Sequence, residues 1–275
     1  HGGPVSTDSA LAVAAIPHGQ DPDGDPVGFR RLFDDTGIVD LDTPTELLDD
    51  AIVRMRIFAG YAGWGDGQLL SPPFVDAHFH MDATLSYGLP RVNCSGTLLE
   101  GIALWGELKP LLTHEAVRDR ALAYCDWAVS MGLLAIRTHV DTCDDRLLAV
   151  EALLDVKKTV APYIDLQLVA FPQDGYFRSP NAAENLKGAL DKGVDIVGGI
   201  PHFERTMADG TRSVTDLCEI AAARGLRVDM HCDETDDPLS RHIESLSAMT
   251  LRLGLQGRVT GSHLTSMHSM DNYYV

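Results

Sequence analysis

The chain has 275 residues, of which 45% are hydrophobic and 23% charged, and its formal net charge at pH 7 is -18. This length and composition are typical of a soluble globular protein with a substantial buried core. The negative charge argues against nucleic-acid polymers and anionic membranes as partners, but it leaves a small-molecule substrate open. Because no apolar run approaches about 18 residues, we expect no membrane span.

The cysteines favour a reducing environment. They number five and form no CxxC pair, at Cys94, Cys125, Cys143, Cys218 and Cys232. An odd number without paired spacing is a poor disulfide framework. The sequence therefore predicts a cytoplasmic location.

The N-terminal part of the chain lacks a regular pattern. Residues 1–28 are rich in Gly, Pro, Asp and Ala, which is typical of loops or tails. A helical pattern fits the range from Thr43 to Phe58, with Thr43 as N-cap and Pro44 in the first position. We expect an irregular N-terminal segment over residues 1–66 and a separate domain over residues 67–275.

From Leu69 onward, strand-like and helical patterns alternate along the chain. The strand-like runs begin near Leu69, Leu133, Asp165, Val194, Leu226 and Arg258. The helical patterns lie at 113–131, after Asp144, after Asn181, at 213–224 and after Asp237. This alternation predicts parallel strands that are joined by right-handed crossovers.

A polar side chain stands at the end of every predicted strand. These positions are His78 and His80, His139, Gln173, His202, His231 and His263. A doubly wound open sheet would show the same alternation, but polar groups at every strand end favour a barrel mouth. We predict an α/β fold, a TIM-like (β/α) barrel with about six of its eight β/α units present. Such an arc has exposed edges, which favours association into a homo-oligomer.

Two short segments have the residue types of a hydrolytic metal site. In an extended chain, His78 and His80 face the same side and can reach one ion, although two structural histidines would show the same pattern. His231 is a candidate third ligand. Glu234, three residues later, is placed to move protons to and from a metal-bound water.

The other strand-end residues carry weaker signals. His263 can contact the attacking water, and Gln173 can pair with a cyclic amide because it both donates and accepts hydrogen bonds. A structural histidine and a turn glutamine are the alternatives. For His139 and His202, a structural hydrogen bond is the preferred interpretation. His202 and Glu204 match the H-x-E of the small zinc nucleotide deaminases, but the required P-C-x-x-C is absent.

Several motifs together resemble one known family. PPFVDAHFHMD, SGTLLEGI, RTHVD, IDLQLVAFPQDG, GGIPHFE, VDMHCDETDD and VTGSHLTSMHS are similar, in order and spacing, to the bacterial cytosine deaminase branch of the amidohydrolase superfamily. The resemblance covers residues 67–275. It implies an amidohydrolase-type barrel that deaminates cytosine to uracil and ammonia through a metal-activated hydroxide.

The resemblance also implies roles for particular residues. His78, His80 and His231 would bind one divalent ion, Fe²⁺ or Zn²⁺. Glu234 and His263 would be catalytic. Gln173 and the backbone of Leu98 would bind the substrate.

Two alternatives remain open within this resemblance. Related enzymes act on isoguanine, 5-methylcytosine, creatinine or N-alkylated triazines. The family's remaining metal ligand, an aspartate after the eighth strand, has no counterpart here, so we expect a C-terminally truncated chain that lacks this ligand. A non-catalytic remnant that binds metal without turnover is the second alternative.

Residues 1–60 do not resemble the family's N-terminal β segment.

Overall fold

The computed structural model describes residues 6–19, 24–48, 51–61 and 72–274. The chain divides into two compact units, residues 1–72 and 73–275. Each unit has a cluster of buried hydrophobic side chains. Within the described ranges, no helix is long and apolar enough to cross a membrane.

The first unit contains a four-stranded antiparallel sheet with the order β2-β3-β1-β4. Its strands are β1 (Ser6–Ala15), β2 (Phe29–Phe33), β3 (Thr36–Val39) and β4 (Arg54–Tyr61). Ala12, Ala14 and Ile16 are buried at alternate positions and cluster with Phe29 and Val39. This period of two is the pattern of an extended chain with one covered face.

The prediction of an irregular segment over residues 1–66 is therefore wrong for the described residues. The strand at Ser6–Ala15 is hard to recognise because alanines occupy both of its faces. The helix predicted between Thr43 and Phe58 is also wrong. The described residues of that range form a 3-10 turn at Thr45–Leu47, and Arg54–Tyr61 is extended because it pairs antiparallel with β1.

The second unit contains the predicted alternation of strands and helices. The strands are β5 (Phe74–Phe79), β6 (Leu133–Asp141), β7 (Asp165–Phe171), β8 (Ile196–Gly199), β9 (Arg227–Cys232) and β10 (Val259–His263). The helices are α1 (Leu98–Leu108), α2 (His114–Ser130), α3 (Leu148–Val160), α4 (Ala182–Asp191), α5 (Met207–Arg224) and α6 (His242–Arg252). All six strands are parallel neighbours in chain order, β10-β9-β8-β7-β6-β5. The prediction of a partial TIM-like barrel is confirmed.

Two helix starts and one helix cap differ from the predictions. Helix α5 begins at Met207 instead of Ser213, because the Thr206 hydroxyl accepts a hydrogen bond from the Asp209 amide and caps the helix there. Asn181 precedes α4, but its side chain donates to Asp145 instead of capping. Helix α6 begins at His242 and not at the Asp237-Pro238 pair.

Side chains alternate between the two faces of each strand, so one face packs in the hydrophobic core and the other carries the site residues. In β9, Val228, Met230 and Cys232 belong to the hydrophobic cluster that the helices share, whereas Asp229 and His231 lie on the opposite face. In β6, Ile136 and Val140 join the same cluster. The alternate residues of both strands therefore place polar groups on the barrel's inner face.

We expect Gly210→Ala in α5 to destabilise the protein by roughly 1–3 kcal/mol, because overpacking forces neighbours apart. A Cβ there would lie 2.6 Å from the Pro201 carbonyl oxygen and would also overlap Nε2 of His242. The control is Gly106→Ala in α1, where a Cβ meets nothing within 4 Å. We expect this control to stabilise by about 0.5–1 kcal/mol. Urea unfolding measures both, and a Gly210→Ala variant as stable as the wild type would contradict the packing.

Candidate metal centre and active site

Four histidines from three strands meet at one end of the parallel sheet. They are His78 and His80 at the end of β5, His139 in β6 and His231 in β9. One ring nitrogen of each can be chosen so that all four lie within 4.8 Å of one another. The structure therefore brings together the three histidines that were predicted as ligands and adds His139. We call these residues the four-histidine cluster.

The ring nitrogens of the cluster are short of protein partners. Nε2 of His80 lies 3.0 Å from Nε2 of His231. Both ring nitrogens of His78 and of His139, and Nδ1 of His231, are buried without a hydrogen bond. Buried polar atoms in proteins are nearly always paired, so a convergent group of unpaired nitrogens indicates a ligand site.

The environment of the cluster keeps the imidazoles of His78, His80 and His231 neutral. Burial, together with the neighbouring His139, lowers the pKa of His78 to about 4 and that of His80 to about 3. Burial and the other histidines lower the pKa of His231 still further. Neutral imidazole is the form that binds metal, and nitrogen donors suit zinc and iron. The four-histidine cluster could therefore hold a divalent ion.

A buried carboxylate supports the cluster from the layer below. Asp229 lies two residues before His231 in β9, and its Oδ1 is 3.4 Å from Nε2 of His139. Its Oδ2 accepts a hydrogen bond of 2.8 Å from Arg137. Burial alone would raise the pKa of Asp229, but contacts with His139 and Arg137 outweigh it and lower that pKa. Such a carboxylate can orient the ring of a ligand histidine.

His263 and Glu234 lie at the rim of the four-histidine cluster. The ring centre of His263 is 4.8 Å from that of His78 and 4.9 Å from that of His231. Nδ1 of His263 lies 3.6 Å from Oε1 of Glu234, and both side chains are 26% exposed. A partly exposed carboxylate–imidazole pair thus lies beside the nitrogens of the cluster, where solvent has access.

The sequence analysis missed Asp233, which fixes the segment that carries Glu234. Its Oδ1 accepts hydrogen bonds from the Ser240 hydroxyl and the His242 amide, and its Oδ2 accepts one from the Ile243 amide. Asp233 therefore caps α6 from the end of β9, which is why the helix starts at His242. Burial raises the pKa of Asp233, but these hydrogen bonds outweigh burial and keep the pKa well below its usual range.

The remaining predicted residues lie outside the four-histidine cluster. Gln173 follows β7, and Phe171, two residues before it, stacks on His231 at 4.2 Å between ring centres. Leu98 is the first residue of α1, with its side chain 60% exposed. His202 lies in a 3-10 turn after β8, and its Nδ1 is buried without a partner. The assignments of Gln173 and Leu98 to the substrate stay predictions.

The fold and the cluster together define a class of protein, namely β/α barrels with a histidine cluster that could hold a metal ion at the carboxyl ends of the strands. Within that class, residues 66–275 match the amidohydrolase family. The chain belongs to this family.

Individual relatives add detail. The 5-methylcytosine deaminase of Klebsiella pneumoniae has a solved structure with 44% sequence identity and a TM-score of 0.74, over 81% of this chain and 56% of that one. The N-isopropylammelide isopropyl amidohydrolase of Pseudomonas sp. (strain ADP) is 34% identical over 204 residues, covering 72% of this chain and 50% of the relative. The chain thus spans about half the length of these two proteins.

A further similarity points to a different kind of protein. A UPF0301 protein of Streptomyces avermitilis is 62% identical over 68 residues. That match covers 25% of this chain and 35% of the relative.

We expect the wild-type protein to bind one equivalent of Zn²⁺ and His231→Ala to bind it at least about 100-fold more weakly, since each histidine ligand contributes a few kcal/mol. His139→Ala should also weaken binding, because His139 belongs to the cluster. Competition with a chromophoric chelator measures the affinities. The control is His114→Gln in α2, outside the cluster. Wild-type affinity in His231→Ala would contradict this assignment.

Proposed function

We propose that the protein is a metal-dependent hydrolase that deaminates cytosine or a close cyclic analogue. The observation that carries the proposal is the four-histidine cluster with the Glu234–His263 pair at its rim. Membership of the amidohydrolase family and the 44% identity to a 5-methylcytosine deaminase support the same reaction class.

In this proposal His78, His80 and His231 hold one divalent ion, Fe²⁺ or Zn²⁺, and His139 lies within reach as a further ligand. The unpaired, neutral ring nitrogens fit such an ion. A bound ion would supply the Lewis acidity that lowers the pKa of a water molecule toward neutrality.

The protein's own residues would then handle the protons. Glu234 would accept a proton from the attacking water and deliver it to the ring nitrogen, and it would then carry the remaining hydroxyl proton to the amino group, which leaves as ammonia. His263, whose Nδ1 lies 3.6 Å from Oε1 of Glu234, would contact the same water. Gln173 would bind the amide edge of the ring, because its side chain offers one acceptor and one donor group. Water adds to the ring carbon, the C–NH₂ bond breaks, and a carbonyl and ammonia result.

A specific observation favours a second substrate class, the N-alkylated triazines. The N-isopropylammelide isopropyl amidohydrolase covers 72% of this chain at 34% identity. The same proton path would release an alkylamine in place of ammonia. Isoguanine and creatinine remain the other candidates from the family resemblance.

The partners and location follow from the proposal. The substrate would be a small molecule, with no nucleic-acid polymer and no membrane as partner. A cytoplasmic location and a homo-oligomeric state stay predictions. Support for the reducing location comes from the cysteines, all five of which are free thiols.

We expect the Zn²⁺- or Fe²⁺-loaded protein to release ammonia from cytosine, and Glu234→Gln to lower kcat about 10²–10⁴-fold while the metal content stays the same. Glu184→Gln, an exposed residue in the first turn of α4, is the matched control. Coupled ammonia detection measures kcat with cytosine, isoguanine, creatinine and N-isopropylammelide, with amine detection for the last.

Three results would change the proposal. Faster turnover of another compound would reassign the substrate. One equivalent of bound metal without turnover of any compound would instead support a non-catalytic metal-binding protein. Full activity in Glu234→Gln would overturn the proton path.

We also infer that residues 1–66 form a unit separate from a hydrolase domain over residues 67–275. The family match begins at residue 66, and the compact units divide between Pro72 and Pro73. The amidohydrolase relative covers 72% of the chain and the UPF0301 protein covers 25%, which together are close to the whole. We therefore assign the UPF0301 similarity to the N-terminal unit.

We expect two calorimetric unfolding transitions, each sensitive to one unit. Phe29→Ala should lower only the first unit's transition, and Leu168→Ala only the second unit's, because each removes a side chain that is at most 8% exposed. Large-to-small core changes cost roughly 2–5 kcal/mol, which lowers the midpoint by several degrees. Each variant is the control for the other. One transition that both variants lower equally would contradict separate units.

A further inference from the structure

Two charged side chains that have no role in the predicted site hold the segment that carries Gln173. We call residues 172–178 the Gln173 loop. We propose that Glu204 and Lys109 are positioning residues that fix this loop, and with it Gln173, beside the four-histidine cluster. The proposal rests on the proposed function, in which Gln173 binds the substrate.

Glu204 anchors the second half of the Gln173 loop through its backbone. The carboxylate accepts hydrogen bonds from three consecutive amides, those of Tyr176 at 2.5 Å, Phe177 at 3.1 Å and Arg178 at 3.1 Å. Successive backbone N–H groups around one anion form a nest, and each bond is strengthened by the carboxylate's charge. Glu204 thus fixes the course of the chain just after Gln173.

The shape of the loop depends on this contact. Gly175 has φ +96°, and a Cβ there would lie 3.3 Å from Oε2 of Glu204 and 2.8 Å from Cβ of Arg178. A glycine is therefore required where the loop wraps the carboxylate. The Arg178 side chain packs over the ring of Phe203, the residue before Glu204, with its guanidinium carbon 4.4 Å from the ring centre.

Lys109 anchors the first half of the loop through a side chain. Its Nζ lies 2.6 Å from Oδ2 of Asp174, the residue after Gln173, and 2.6 Å from Oδ2 of Asp141 at the end of β6. Asp141 also accepts a hydrogen bond of 2.7 Å from Nε1 of Trp105 in α1. Lys109 therefore links the Gln173 loop both to β6 and to the helix that begins at Leu98.

Gln173 lies just before both anchored stretches, Asp174 and residues 176–178, and two residues after Phe171, whose ring packs against the cluster. Its amide donates to the Phe171 carbonyl at 2.9 Å. The Phe171 ring stands edge-on to His80 at 5.7 Å and to His139 at 5.4 Å between ring centres. A loop released at either anchor would move Gln173 relative to the histidines.

The test combines hydrogen exchange with a double-mutant cycle on the metal-loaded protein. In Glu204→Gln the side chain keeps only one acceptor oxygen. Its NH₂ group is a donor and cannot accept hydrogen bonds from the backbone amides of residues 176–178. We expect the amides of residues 176–178 to exchange at least about tenfold faster, with β6 and β9 unchanged. Glu219→Gln, an exposed glutamate paired with Arg252, is the matched control with wild-type exchange.

Cytosine binding, measured by calorimetry in a Glu234→Gln background where turnover is slow, gives the second measurement. We expect Glu204→Gln, Lys109→Met and Gln173→Ala each to weaken binding about tenfold, the loss of roughly one good hydrogen bond, with unchanged metal content. Adding Glu204→Gln to Gln173→Ala should weaken binding less than about twofold further, because Glu204 acts through Gln173. Lys109→Arg, which keeps the positive charge, should bind closer to wild type than Lys109→Met.

Additive losses of about 100-fold in the double variant would overturn the proposal, since a merely structural role gives additivity. Unchanged exchange in Glu204→Gln would overturn it as well. If Glu204→Gln does not fold, Lys109→Met with Gln173→Ala gives the same cycle from the other anchor. A wild-type protein that does not bind cytosine would contradict the proposed function, and exchange at residues 176–178 would still decide on the anchors.

Discussion

The structure depends on the burial of several neutral imidazoles at one edge of a parallel sheet. Removing ring nitrogens from water without giving them partners costs free energy, on the order of 1–3 kcal/mol for each unpaired group. Both nitrogens of His78 and Nδ1 of His139 are in this state. A divalent cation would offset part of that cost, because it supplies a partner to one nitrogen of each ring that it binds. The same burial keeps the imidazoles of His78, His80 and His231 neutral, which is the form that binds metal.

The parallel sheet makes this arrangement possible through simple geometry. Neighbouring strands in register place equivalent positions side by side, and the period of two directs every second residue inward. Ser262 of β10 pairs in register with His231 of β9, and His139 of β6 pairs with Val169 of β7. Below the histidines, the next inward positions hold Arg137 and Asp229, which form an ion pair of 2.8 Å. The residues that support the site thus lie in the same strands, two positions before the histidines.

Much of the second unit could be predicted from the sequence, because its strands and helices alternate with clear periodicity and its histidines mark the strand ends. His78, His80 and His231 could be proposed as partners because each residue type and position has a direct chemical meaning. His139 was not given a ligand role, since its position in RTHVD does not reveal that its nitrogens are unpaired. Asp233 was missed for a related reason. Asp233 acts as a cap only because α6 begins at His242, and the Asp237-Pro238 pair predicted an earlier start for this helix.

The N-terminal sheet could not be predicted, because alanine-rich strands such as Ser6–Ala15 show little contrast between their two faces. Long-range pairing, not local propensity, decides their structure. Anomalous X-ray diffraction at the zinc edge, from crystals of the Zn²⁺-loaded protein, tests whether the four-histidine cluster binds the metal. We expect one strong peak with the nitrogens of His78, His80 and His231 at about 2.0–2.1 Å. A protein whose zinc peak lies away from these histidines, or that shows none, would contradict it.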